Sequence, residues 1–200
     1  EDPVNQDRMP FDSIYEPVVA GRVLVIASNR TDGVTALDTR TGSELWHAVT
    51  DGPVRLPPAI DDGRVLALSD DGCLYAFDLR TGKQLWRQAC GRDERRVLGN
   101  GRLISAWCGR GGPVVVQGTA YVGAGIWPFM GTAVLAIDTF TGRVVWRRAG
   151  LGDLYLNQPH GGSESFGGIA PQGSLAASRD LLVVPNGRAV PAALDRNDGE

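Results

Sequence analysis

The chain has 200 residues, 42% of them hydrophobic and 22% charged, enough to bury a core and ordinary for a globular domain. Its net charge of −3 is of mixed sign, and the densest cluster, Arg92-Asp93-Glu94-Arg95-Arg96, nearly cancels itself, so nucleic acid is excluded as a partner. No apolar run approaches the roughly 18 residues of a membrane-spanning helix, no basic-then-apolar leader follows Glu1, and the three cysteines and two histidines form neither C-x-x-C nor H-x-x-x-H.

With 27 glycines and 12 prolines, the chain reads as short strands joined by turns. Residues 1–15 are polar and aperiodic and read as a linker. A first four-stranded unit spans about 16–50, with strands at 17–19, 22–27, 34–37 and 44–47. The near-continuous apolar run at 23–27 predicts a strand covered on both faces, and His47 reads as a strand-edge surface residue. A second unit spans about 57–90, with strands at 57–60, 65–68, 74–77 and around Trp86. Asp61-Asp62-Gly63 and Asp70-Asp71-Gly72 punctuate it as turns. A third unit spans about 112–150, and an incomplete fourth spans 173–200.

One phrase organises all of this. Asp38-x-x-Thr41-Gly42 followed by Trp46 returns as Asp78, Gly82 and Trp86, then as Asp138, Gly142 and Trp146. It begins again at Asp195 and reaches Gly199, so the period falls between 40 and 60 residues. The aspartate accepts amide hydrogen bonds from the next turn of chain, and the glycine takes the left-handed position that closes the hairpin. Asp38, Asp78 and Asp138 are therefore turn formers before anything else.

This A-[LFI]-D-x-x-T-G-x-x-[LV]-W phrase resembles the tryptophan-docking motif of PQQ-like β-propeller repeats. That superfamily includes quinoprotein alcohol dehydrogenases and the propeller lipoprotein of the outer-membrane barrel-assembly machinery, and the resemblance covers about 16–200. It implies an all-β propeller of four-stranded antiparallel blades, with about three and a half present as a fragment of a larger ring. The alternative is a four-bladed ring completed by the N-terminal tail. The family also implies a periplasmic or otherwise exported protein. Trp46, Trp86 and Trp146 are expected to be largely buried between blades.

Chain length between strands points to a site. In an up-and-down meander, the loops joining second to third strands and one blade to the next share one face. Every insertion here (90–111, 125–131, 151–172 and 185–188) belongs to that set, opposite the Asp-x-x-Thr-Gly turns. Arg95, Arg96, Asn100, Arg102, Trp107, Trp127, Asn157, Gln158, His160, Glu164 and Arg188 fall in these loops and suit a small polar or carbohydrate-like ligand, with Arg95 or Arg102 pointing toward the channel. Cys90 and Cys108 bracket one insertion. A bridge there would contribute about 3 kcal/mol in the chain-entropy model, and three unpaired small hydrophobes is the simpler reading.

The resemblance leaves two functions. The first is a binding or scaffolding module without a cofactor, its partners being other blades of the propeller or other proteins. The second is a PQQ- and Ca2+-dependent dehydrogenase, in which the family places an aromatic beneath the quinone, an Arg near its carbonyls, and Glu, Asn and Asp oxygens on Ca2+. Trp127 would be the platform. The chain has none of the adjacent cysteines often found in that branch, and Glu164 and Asn157 do not align onto its metal ligands, so the first reading is preferred. Gly123-x-Gly125, Gly162-Ser163-Glu164-Ser165 and Asn29-Arg30-Thr31 match a dinucleotide loop, a nucleophile elbow and a glycosylation sequon only in part or without their context.

Overall fold

Each Asp-x-x-Thr-Gly phrase closes the hairpin between the third and fourth strands of a sheet. The computed structural model describes residues 15–99, 101–157, 161–187 and 189–200, so the expected linker lies almost wholly outside the described residues. The first sheet runs β1 (Val18–Ala20), β2 (Val23–Ser28), β3 (Gly33–Asp38) and β4 (Glu44–Val49), and the second β5 (Ala59–Asp61), β6 (Arg64–Leu68), β7 (Cys73–Asp78) and β8 (Gln84–Ala89). A hairpin of β9 (Arg96–Gly99) and β10 (Arg102–Ser105) precedes the third sheet, β11 (Gly109–Val116), β12 (Thr119–Ala124), β13 (Ala133–Asp138) and β14 (Val144–Ala149). A second hairpin, β15 (Leu154–Asn157) and β16 (Glu164–Gly167), precedes a three-stranded sheet of β17 (Ala176–Ala177), β18 (Leu181–Val184) and β19 (Ala192–Asp195). Within every sheet neighbouring strands pair antiparallel in chain order, and the first strands β1, β5, β11 and β17 lie beside one another in turn.

Two sequence expectations change here. The insertions at 90–111 and 151–172 are not plain loops, because each folds into a two-stranded ribbon. β11 also begins at Gly109, three residues before the expected start, so that Gly109 pairs with Ala124 and Gly111 with Gly123 across two register shifts. Glycines allow this close approach, since a Cβ on Gly109 would lie 2.6 Å from the Leu68 side chain.

The core consists of layers between sheets. Val25, Ala27, Val34 and Ala36 of the first sheet meet Val65, Ala67, Cys73, Tyr75 and Phe77 of the second. The alternate residues Leu66, Leu68, Leu74 and Ala76 face Ala120, Val122, Leu135 and Ile137 of the third. Tyr121, Val134 and Ala136 then face Leu182, Val184 and Leu194. Strands of the second and third sheets are thus covered on both sides, which their unbroken apolar runs require. The run 23–27 was expected to be covered likewise, but only Val25 and Ala27 are buried; Leu24 and Ile26 are half-buried among the described residues. Cys73 and Cys90 fall in clusters on opposite faces of the second sheet, and all three cysteines are free and buried.

The turns repeat atom for atom. Asp38 Oδ1 accepts from the amides of Arg40 and Thr41, Asp78 Oδ1 from those of Arg80 and Thr81, and Asp138 Oδ1 from that of Thr141. Gly42, Gly82 and Gly142 have φ of 71°, 70° and 74° and donate back to the aspartate carbonyls. The fourth copy holds the same form with Asp198 in the threonine position, where its carboxylate accepts from the Glu200 amide as Thr41 Oγ1 does from Ser43.

These bonds favour the ionised carboxylates. Asp38 is held below its ordinary value chiefly by the Arg40 amide, Asp78 by the Thr81 hydroxyl and Asp138 by the Thr141 hydroxyl. Asp93 is lowered to about 2 by Arg95 and then by the Trp107 indole. A carboxyl with a depressed folded pKa takes up its proton more readily when unfolded. Its stabilisation is therefore whole above the ordinary 3.8 and is lost as the pH falls through the folded value. The urea midpoint is expected to hold steady from pH 7 to 5 and to drop steeply below pH 4, with a shallower drop in Asp93→Asn. A midpoint that rises on acidification would contradict the sign.

A bulge sets the direction of each tryptophan. The β3–β4, β7–β8 and β13–β14 ladders all slip one residue after Ala36, Ala76 and Ala136, which sit opposite Trp46, Trp86 and Trp146. The extra residues Leu45, Leu85 and Val145 are exposed, and each indole turns to the next sheet. Trp46 Nε1 donates to Leu79 O at 2.9 Å, Trp86 Nε1 to Thr139 O at 3.1 Å and Trp146 Nε1 to Arg196 O at 2.8 Å. Each ring covers the turn glycine of the next copy, Gly82, Gly142 or Gly199, where a Cβ would come within 2.7 to 2.8 Å of ring carbons. Of the three docking indoles Trp46 is buried, at 8% exposure, while Trp86 and Trp146 are half-buried, since one side of an outer-strand indole faces solvent.

Candidate functional site on the long-loop face

Hairpin alternation sorts the connections into two ends. At one end the Asp-x-x-Thr-Gly turns meet the first-to-second strand turns. Thr39, Leu79 and Thr139 amides donate to Arg22, Gly63 and Gly118 carbonyls, and Thr139 Oγ1 donates to Asp61 Oδ2 at 2.5 Å. The insertions gather at the other end. Ser105 N donates to Asp70 O in the second-to-third strand turn of the second sheet, and Arg102 reaches Asp32 in that of the first. Arg95 donates to Met130 O, and Thr132 Oγ1 donates to Ile169 O at 2.6 Å, which ties 90–111, 125–132 and 151–172 into one surface.

The sequence-selected residues do not form one constellation on that surface. Trp107 is 2% exposed and lies in the core between the second and third sheets, its Nε1 donating to Asp93 Oδ1 at 2.8 Å. It was expected among ligand-binding loop residues, but an indole whose N–H finds an internal partner is free to be buried, and it offers a ligand no surface. Arg95 pairs with Asp93 at 3.0 Å and lies 6.0 Å from the Trp107 ring. Arg102 makes a two-pronged pair with Asp32 at 2.5 Å. One or the other was expected to point toward the channel; both instead tie insertions to neighbouring elements. Arg96 is exposed at the rim of a cleft, and Trp127 is half-buried with its ring 5.8 Å from that of Phe129. Gln158, His160 and Arg188 lie outside the described residues.

Two hollows open on this face. The larger, about 500 Å³, lies between Asp51, Asp71 and Arg87 on one side and Asp93, Glu94 and Arg96 on the other. Arg87 bridges Asp51 at 3.2 Å and Asp71 at 2.9 Å, and the Tyr75 hydroxyl donates to Asp71 Oδ2 at 2.5 Å. Burial and then the Asp71 charge push the Cys73 thiol in its wall up to about 11, and burial followed by the Asp71 bond raises Tyr75 as well. Neither is a thiolate or phenolate near neutral pH, so neither is an activated nucleophile. The smaller hollow, about 150 Å³, is lined by Arg110, Thr132, Phe166, Gln172 and Asn186.

Beneath the face lies a feature that the sequence reading passed over. Asp70 and Asp71 read as turn residues, yet Asp70 forms a buried two-pronged ion pair with Arg55. Nε reaches Oδ2 at 2.6 Å and an Nη reaches Oδ1 at 2.8 Å, while the same Nη donates to Gly109 O at 3.1 Å. Burial pushes the Asp70 carboxyl above its ordinary value, and Arg55 does not fully pull it back. The pair joins the chain ahead of β5, the turn after β6 and the start of β11 behind the insertions.

Four-stranded meanders stacked by inter-sheet tryptophans define a β-propeller of PQQ-like repeats. The chain belongs to the family described as outer membrane protein assembly factor BamB, which matches residues 4–149. It is 26% identical over 147 residues to the outer membrane protein assembly factor BamB of Nitrosomonas eutropha, covering 74% of this chain and 31% of that protein. It is 29% identical over 136 residues to a polyvinylalcohol dehydrogenase of Sphingopyxis sp., covering 62% of this chain and 20% of that one. The chain thus spans less than a third of either relative. Among solved structures it resembles BamB from Moraxella catarrhalis, with a TM-score of 0.62 at 20% identity over 96% of this chain and 51% of that one. It also resembles the quinohemoprotein alcohol dehydrogenase ADHIIG from Pseudomonas putida HK5, with a TM-score of 0.68 at 22% identity over 95% and 34% of the two chains. Those two likenesses establish the fold.

Proposed function

We propose that this chain is part of an exported β-propeller that binds and scaffolds other molecules through its long-loop face and supplies no chemistry of its own. One observation carries the reading: the insertions at 90–111, 125–132 and 151–172 interlock on one face, where Asp51, Asp71 and Arg87 of the larger hollow are held in ion pairs. Paired charges on a rigid sheet scaffold favour recognition over proton transfer. Family membership and the BamB relatives support protein partners, and other sheets of the same propeller would flank the chain on its open sides.

The rival is a quinone dehydrogenase, favoured by the polyvinylalcohol dehydrogenase relative. Its ligand set does not fit the described residues. Asn157 and Glu164 are cross-strand partners on the exposed β15–β16 ribbon, and the Trp127 ring is stacked against Phe129. Adding PQQ and Ca2+ to the full-length protein is therefore expected to give neither a bound-quinone absorbance band nor dye-linked alcohol oxidation. Either signal would overturn the scaffold reading.

A further inference from the structure

The aromatic residues of two insertions meet on the long-loop face in a continuous row. The rings of Trp127 and Phe129 are 5.8 Å apart with planes at 19°, Phe129 and Phe166 are 5.8 Å apart at 48°, and Phe166 and Tyr155 are 5.3 Å apart at 73°. Trp127 anchors one end against Ile104, Cys108 and Ile126, while Phe129, Phe166 and Tyr155 are 55%, 44% and 60% exposed. Three neighbouring aromatics left this open form a contiguous apolar surface of the kind that marks a binding site.

We propose that this row is a platform for a neutral glycan, the rings stacking on successive pyranose residues; the proposal rests on the reading of this face as a binding surface. The ribbon supplies the chemistry. Tyr155 pairs directly with Phe166, and Asn157 with Glu164, so strand alternation places an amide and a carboxylate on the same side as the two rings. Leu154 and Leu156 point to the opposite side. Beyond Phe166, the smaller hollow adds Thr132, Gln172 and Asn186 to the same border.

A pyranose matches this arrangement. One side of the ring is a layer of C–H bonds that lies flat on an aromatic face, and its edge carries hydroxyls that need donors and acceptors in the plane beside it. A purely apolar partner would strip water from Asn157 and Glu164 and return no hydrogen bond. Glu164 on the ribbon and Arg110 in the hollow beside Phe166 are of opposite sign within a chain of net charge −3, so the platform has no excess positive charge to draw an acidic polysaccharide. Charge and ring geometry together select an uncharged sugar chain.

The test is calorimetric titration of the full-length protein with cellohexaose, chitohexaose, maltohexaose and hexagalacturonate. At least one neutral hexasaccharide is expected to bind and to outbind hexagalacturonate. Tyr155→Ala and Phe129→Ala should each weaken binding about tenfold, equivalent to about 1.4 kcal/mol. Tyr155→Phe, which keeps the ring, and Leu154→Ala, on the other side of the ribbon, should leave it within about twofold of the parent, or about 0.4 kcal/mol. All four variants alter exposed side chains, and an unchanged far-ultraviolet spectrum checks their folding. Failure of every neutral sugar to bind, equal binding to hexagalacturonate, or binding insensitive to ring removal would each overturn the proposal. Loss of a protein contact in the ring variants without any sugar binding would overturn it in favour of a protein partner, and the scaffold reading would stand. Turnover with PQQ and Ca2+ would sink the scaffold reading whatever the sugars do.

Discussion

Asp70→Ala is expected to destabilise the chain by about 3–5 kcal/mol, because it leaves the buried Arg55 guanidinium without its carboxylate. Arg55→Ala should cost a similar amount by stranding Asp70. The two side chains are 4% and 3% exposed, so water cannot reach in to replace the missing partner without opening the structure. The pair itself is another matter. Taking two charges out of water offsets much of their mutual attraction, so an apolar pair of similar volume can take their place at little cost. The double variant Arg55→Met/Asp70→Leu should therefore recover most of either single loss, and the coupling in the double-mutant cycle should be large. Urea unfolding of the three variants measures it. Single losses below 1 kcal/mol would show that the pair is not sealed from water.

The hairpins were legible in the sequence because one chemical demand recurs. Every copy needs an acceptor side chain at the turn, a left-handed glycine and an indole that reaches the neighbour, so Asp38, Gly42 and Trp46 announce their roles by returning. The insertions have no second copy to be compared with. The ribbon at 96–105 had a local signal in Asn100-Gly101 between Val97-Leu98 and Leu103-Ile104, a two-residue hairpin pattern, but it sits inside a stretch read only as an insertion between blades. Leu154-Tyr155-Leu156 has no alternation that separates a buried from an exposed side, because all three side chains are exposed. Trp107 looked like a loop aromatic and proved to be core, for its partner Asp93 lies 14 residues away and only folding brings them together. The Arg55–Asp70 pair was hidden differently: Asp70-Asp71-Gly72 is a sufficient turn, and no residue pattern distinguishes a turn aspartate from one that also neutralises a buried arginine. The aromatic row failed to stand out because Phe129 and the Tyr155–Phe166 pair come from separate insertions, whose approach depends on Thr132 and Ile169.

The tryptophan dock can be weighed from both of its sides. Trp46→Ala should cost about 3–5 kcal/mol, since it removes a buried indole and leaves the Leu79 carbonyl without that donor. The same loss is expected to be smaller for Trp86→Ala, whose ring is half-exposed. On the other side, Gly42 and Gly82 occupy equivalent turns with φ of 71° and 70°, so alanine at either carries the same left-handed penalty of about 1–2 kcal/mol. Their surroundings differ. A Cβ on Gly82 would lie 2.7 Å from two carbons of the Trp46 ring, whereas among the described residues nothing comes within 4 Å of one on Gly42. Gly82→Ala should therefore cost about 1–3 kcal/mol more than Gly42→Ala, the added amount being the overpacking of the dock. In a Trp46→Ala background that excess should vanish, because no ring remains for the methyl to strike. Equal losses at Gly42 and Gly82 in the parent chain would mean that the indole yields without cost, and the glycine would then serve the turn alone.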